Sequence, residues 1–79
     1  AALALFKKCL ELDRQFGNTH GEATTLYNIG LSYLQSNQLD SATAAIREAL
    51  SISVKHGFHG LAEEIKRVSN ILNQASRGN

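Results

Sequence analysis

Three histidines are the first residues whose type and spacing could do chemistry. His56 and His59 are three apart, and His20 occupies the corresponding stretch of the other half of the chain. Three imidazoles could hold a transition metal. His56 and His59, however, flank Gly57-Phe58, a turn sequence that takes them off a common helical face. They read as turn residues in solvent, so no metal is expected. Cys9 is the single cysteine, and no CxxC or Cys/His cluster accompanies it. It reads as a packed, unreactive thiol, in a chain suited to a reducing, cytoplasmic setting. Glu63 and Glu64 are consecutive, hence about 100° apart on a helix, and do not converge as an acid–base pair. No phosphate loop, dinucleotide turn or interleaved basic and aromatic residues are present. No catalytic residues and no cofactor are expected, and the chain reads as a non-enzyme.

Charge and length narrow the classes further. The net charge is +1 over 79 residues, which gives no long-range attraction for nucleic acid or an anionic membrane. No apolar run approaches the ~20 residues of a membrane span. A chain this short buries only about 60% of its unfolded surface, so its stability leans on neighbours. It begins Ala1-Ala2-Leu3 inside an apolar-periodic segment, and is read as part of a longer protein.

The periodicity predicts four helices and an all-α fold of stacked antiparallel pairs. The first runs from about Ala2 to Phe16 with Leu5, Phe6, Cys9, Leu10, Leu12 and Phe16 at helical spacing. Gly17 suits a left-handed C-terminal cap. Thr19 and Glu22 have the spacing of a capping box, which would start the second helix. That helix carries Leu26, Ile29, Gly30 and Tyr33 and ends near Ser36, with Asn37 as its left-handed cap. The third, from about Gln38, carries Leu39, Ala42, Ile46, Ala49 and Leu50 and closes at Gly57. The fourth spans about Gly60 to Ala75, with the tail from Ser76 to Asn79 expected to fray.

The second half echoes the first. Phe6, Cys9, Leu10 and Gly17 lie 40 positions before Ile46, Ala49, Leu50 and Gly57. Leu26, Ile29, Gly30 and Tyr33 lie 39 positions before Ile65, Val68, Ser69 and Leu72. Internal repetition at this period marks stacked helical repeats. Residues 23–56 resemble one complete tetratricopeptide repeat. Leu26, Ile29, Gly30 and Tyr33 match the large, leucine, small and aromatic positions of that family's helix A. Ala42, Ile46 and Ala49 match its alanine, large apolar and alanine positions in helix B. Two positions depart from the pattern: Asn37 stands for the glycine ending helix A, and Val54 for the late proline. Gly30, Ala42 and Ala49 would let the two helices approach closely. The division expected is 1–22, helix B of a preceding repeat; 23–56, the full repeat; and 57–79, a capping helix and tail.

The long spacing resembles a subclass seen in spindle-orientation scaffolds, kinesin light chains and bacterial peptide-sensing regulators. The resemblance implies a protein-interaction module that binds a peptide or protein on its concave helix-A face. The alternatives it leaves open are a segment that packs on other repeats or self-associates, and the sensor portion of a bacterial signal-peptide-binding regulator. Carried over position by position, the contact residues are Thr24, Tyr27, Asn28, Leu31 and Gln35 in the full repeat. In the last helix they include Lys66, Arg67 and Asn70. Asn28-Ile29-Gly30 resembles the asparagine-bearing helix A of the spindle scaffolds, and an amide can pair with an extended backbone. Lys66 and Asn70, four apart, resemble the carboxylate-binding pair of chaperone-binding members, and with Arg67 suit an acidic partner. Tyr27 and Leu31 stand where a second such pair would be needed.

The two ends differ. Projected at about 100° per residue, the fourth helix gathers its apolar residues into roughly 120°, from Ile71 round to Ile65. Polar residues cover the rest, as on a cap. The first helix spreads its apolar residues over roughly 200°. Leu3, Phe6 and Leu10 on one flank are the expected surface for an upstream repeat or for self-association into a homo-oligomer.

Overall fold

The computed structural model describes residues 2–77, with side-chain environments as far as Ala75. Four helices follow in chain order: α1 (Ala2–Gln15), α2 (Thr19–Gln35), α3 (Leu39–Lys55) and α4 (His59–Arg77). Each packs mainly on its neighbours in sequence, and the α2–α3 contact is the most extensive. The Cα atoms fill a slab of about 41 × 30 × 14 Å. This is the expected all-α stack of antiparallel pairs.

One turn is used three times. Gly17, Asn37 and Gly57 have φ of +68°, +59° and +74°. At each, the next residue's N–H reaches back to a carbonyl five residues earlier: Asn18 to Asp13 (2.8 Å), Gln38 to Tyr33 (2.9 Å) and Phe58 to Ser53 (2.8 Å). The turn residue's own N–H reaches Arg14 (3.4 Å), Leu34 (3.0 Å) and Val54 (3.3 Å). This double bond is the Schellman motif, which satisfies two orphan carbonyls while reversing the chain. The positive φ explains the residue choice, since glycine and asparagine tolerate it best.

The start of α2 corrects the expected capping box. Asn18, not Thr19, is the N-cap, and its Oδ1 accepts from the Gly21 N–H at 3.1 Å. The turn fixes this register: Asn18 already closes α1, so the first residue free to be helical is Thr19. Glu22 is thereby one position too far on to reach back. Its carboxylate instead accepts from Arg14 Nε at 3.0 Å. Arg14 Nη2 also meets Glu48 Oε2 at 3.2 Å, so one guanidinium touches α1's two successors. Both pairs are half in solvent, and screening holds each to about 1 kcal/mol or less. A better-sheltered tie is Asp13, whose Oδ2 accepts from Thr25 Oγ1 at 2.9 Å.

The core is continuous along the stack. Leu26, Tyr27, Ile46, Ala49, Ile65 and Leu72 form its buried cluster. Gly30 faces Ile46 so closely that a Cβ there would collide with Ile46 Cγ1, and the Ala42 carbonyl lies just behind. The small positions therefore do let α2 and α3 approach. Ser53 is fully buried, but its Oγ donates to the Ala49 carbonyl at 2.9 Å, so the hydroxyl is satisfied.

Two expectations for the last helix are corrected. Ile71 is exposed, so the buried face is carried by Ala62, Ile65 and Leu72, without its expected edge. Ser76 and Arg77 are helical and continue α4; Gly78 and Asn79 lie outside the described residues.

Two measurements check this frame. Alanine usually stabilises a helix relative to glycine by about 1 kcal/mol. Gly30→Ala is expected to destabilise by about 1–3 kcal/mol in urea unfolding, because a methyl must enter a filled space. Adding Ile46→Val to Gly30→Ala should cost less than the two separate changes summed. Asn18→Ala should cost about 1 kcal/mol through the lost cap, with Thr19→Ala nearer neutral.

Candidate partner-binding face

The middle of α2 presents a polar strip. Asn28, Leu31 and Gln35 are spaced three and four apart and lie on one side of the helix. Asn28 and Leu31 are half-buried and Gln35 is exposed. Together with Ser32 they form one wall of an open cavity of about 280 Å³. Ala2 and Phe6 of α1 form the other wall. Among the described residues, no charged side chain lines it. Its resources are two amides, a hydroxyl and the apolar surfaces of Phe6 and Leu31. Such a lining can pair with backbone N–H and C=O groups of an extended chain and shelter one apolar side chain.

The other nominated residues lie elsewhere. Thr24 is half-buried, and its Oγ1 donates to the His20 carbonyl at 3.0 Å within its own helix. Tyr27 is buried. Burial pushes its phenol pKa up, the Glu64 carboxylate of α4 pushes the same way, and Arg67 opposes them. Lys66, Arg67 and Asn70 are exposed on α4 and do not line the cavity. Leu10 packs on the core cluster, while Leu3 and Phe6 are half-buried. Phe6 thus serves as a groove wall. Ser32 and Ala2 were not singled out in the sequence. Ser32 could have been, since it lies four residues after Asn28, one helical turn along.

The histidines have a different occupation. The His20 ring meets Phe58 edge-on, with centroids 4.7 Å apart at 70°. The His56 ring stacks on Phe58 at 5.9 Å and 20°. Phe58 thus joins the two equivalent corners of the stack. Among the described residues, no group of three or more histidine, cysteine or acidic side chains gathers to hold a metal. Cys9 is free and half-buried. No described helix is long and apolar enough to cross a membrane.

A family model for the tetratricopeptide repeat matches residues 1–53. The chain belongs to the tetratricopeptide-repeat family. Comparison with curated proteins and with solved structures returned no match. The matched span covers α1, α2 and nearly all of α3. Tetratricopeptide repeats mediate protein–protein interactions, typically as non-enzymatic scaffolds.

The shifted phenol gives a test of how α2 meets α4. A raised folded-state pKa means that the folded chain keeps the proton longer than the unfolded one. This contribution to stability is full below about pH 10 and is lost as pH rises through the folded value. Tyr27→Phe should remove that alkaline loss. Chemical unfolding between pH 8 and 11, with and without the substitution, measures it.

Proposed function

We propose that this chain is a peptide- or protein-binding scaffold segment, and that its partner lies as an extended strand along α2. The observation that carries this reading is the open groove of about 280 Å³ that gathers Asn28, Leu31, Ser32 and Gln35 opposite Phe6. Asn28 would pair with partner backbone, and Leu31 with Phe6 would take an apolar side chain. Lys66, Arg67 and Asn70 lie on the exposed side of α4. They would bind acidic residues of a partner that runs past α2, as charge-assisted contacts at a rim. Cys9 stays a thiol in the cytoplasmic setting this reading assumes. A bacterial signal-peptide sensor would use the same groove.

A second reading is structural, with α1 packing on further repeats or on another copy. It is favoured by one observation: Leu5 and Leu12 on α1, and Phe16 in the turn just after it, are exposed large apolar residues.

Selection of binders from a random displayed peptide library, followed by amide-shift mapping, separates the two. The groove reading predicts shifts at Phe6, Asn28, Leu31, Ser32 and Gln35. Asn28→Ala should weaken selected peptides by about tenfold, the cost of one buried hydrogen bond. Lys66→Ala with Arg67→Ala should weaken acidic peptides by less, and more so at low salt. If selected peptides bind with unchanged affinity to Asn28→Ala and Leu31→Ala, or shift only α1's outer side, the groove reading fails.

A further inference from the structure

Both walls of the groove between α1 and α2 are uncharged. Asn28, Leu31, Ser32 and Gln35 stand at i, i+3, i+4 and i+7, one face of α2, with Ala2 and Phe6 opposite. The nearby charges point elsewhere. Lys7 and Lys8 follow Phe6 in sequence, but lie about 100° and 200° round α1 from it, and both are exposed. Arg14 is engaged with Glu22 and Glu48 toward the far end of α1. Lys66 and Arg67 belong to α4.

The polar groups of this face are also left over by the fold. The hydroxyls of Thr24, Ser36 and Ser53 donate to carbonyls one turn back, and that of Thr25 donates to Asp13. Among the described residues, the side chains of Asn28, Ser32 and Gln35 make no bond of this kind. Their spacing measures what they could hold. A helix rises about 1.5 Å per residue, so Ser32 lies about 6 Å and Gln35 about 10.5 Å beyond Asn28 along the axis. An extended chain advances about 3.3 Å per residue, so two residues cover about 6.6 Å and three about 10 Å. The first, third and fourth residues of an extended segment therefore fall opposite Asn28, Ser32 and Gln35. Amide and hydroxyl groups both donate and accept, so they can meet backbone N–H or C=O in either chain direction.

We propose that the groove selects an uncharged core of about four residues with one apolar side chain, and that acidic residues of a partner are read only outside this core, by α4. The inference rests on the peptide-binding reading and adds to it what the bound segment must be. Desolvation is the reason. A carboxylate or ammonium set between Phe6 and Leu31 gives up water, and no lining group returns a counter-charge. An apolar side chain in the same place gains by burial. Affinity for the core is then insensitive to salt, whereas contacts at the α4 rim are screened.

The test starts from a displayed library of random peptides, selected on the chain in salt high enough to screen the rim. An enriched peptide is synthesised with Lys or Asp at each position in turn, and amide shifts of the chain show where each variant binds. Either charge inside the core should weaken binding on the order of tenfold or more, and outside it by about threefold or less. Ser32→Asp supplies the missing counter-charge. It should return on the order of tenfold to a peptide with Lys in the core and nothing to the same peptide with Asp, a difference that general damage to the groove would not produce. Peptides that shift Phe6, Asn28, Leu31, Ser32 and Gln35 yet accept Lys or Asp at every position would overturn the inference and leave the peptide-binding reading standing. Peptides that shift none of these residues would overturn that reading, and the inference with it.

Discussion

The close approach of α2 and α3 at Gly30 is the constraint on which the rest depends. With Gly30 against Ile46, the two helices bury Ala23, Ala42 and Ala49 completely. That is possible only because the facing side chains are small. The helices that follow and precede are hung on this pair. Helix α4 adds Ile65 and Leu72 to the core, and α1 contributes no buried residue at all. The order of stability implied is a firm centre with looser edges, as expected of a stack in which each unit touches only its neighbours. The groove is placed by the same contact. Because Gly30 turns toward α3, Asn28, Leu31 and Gln35 turn away from it, toward the open side. A change at Gly30 would therefore rotate or displace the strip that a partner reads, without touching the strip itself.

The turns set the lengths and the packing sets the rotation, and the two are not in step everywhere. Gly17, Asn37 and Gly57 recur every 20 residues. The apolar pattern repeats at 40 between α1 and α3 but at 39 between α2 and α4, where Ala62, Ile65 and Leu72 follow Ala23, Leu26 and Tyr33. One residue is missing between the Gly57 turn and the first buried position of α4. On a helix that is a rotation of about 100°, absorbed in the first turn, where Phe58 stands in place of the capping Asn18. The Phe58 carbonyl accepts from the Ala62 N–H at 2.8 Å, but its side chain can cap no α4 amide as Asn18 caps α2. It packs between His20 and His56 instead, so a corner fastened by a hydrogen bond in one repeat is fastened by rings in the next.

The fold was legible because its signals are local. Apolar residues at helical spacing, and glycine or asparagine at each reversal, need no knowledge of tertiary structure. Where reading failed, the deciding term lay outside the element. Asn18 and Thr19 are both good caps, and only the turn that ends α1 chooses between them. Ile71 is apolar and lies at the edge of the α4 stripe, but no helix reaches it. Asn28, Leu31 and Gln35 were picked out through the family resemblance, whereas the opposite wall was not. Phe6 and Ala2 belong to another helix, and their meeting with α2 is set by how α1 leans. Tyr27 was placed with the strip by its position in the repeat. Its phenol is instead enclosed beside Glu64 and Arg67, because α4 closes over that side of α2.

Native-state hydrogen exchange tests the central claim most directly: that the Gly30-centred pair is the body on which everything else hangs. Amides around Ile29-Gly30 and Ile46 to Ala49 should exchange slowest, through global unfolding, with identical dependence on denaturant. Amides of α1 should exchange through a smaller opening at lower free energy, and those of α4 should fall between. Protection of α1 equal to that of α2 and α3, or separate opening of α2 and α3, would contradict the account.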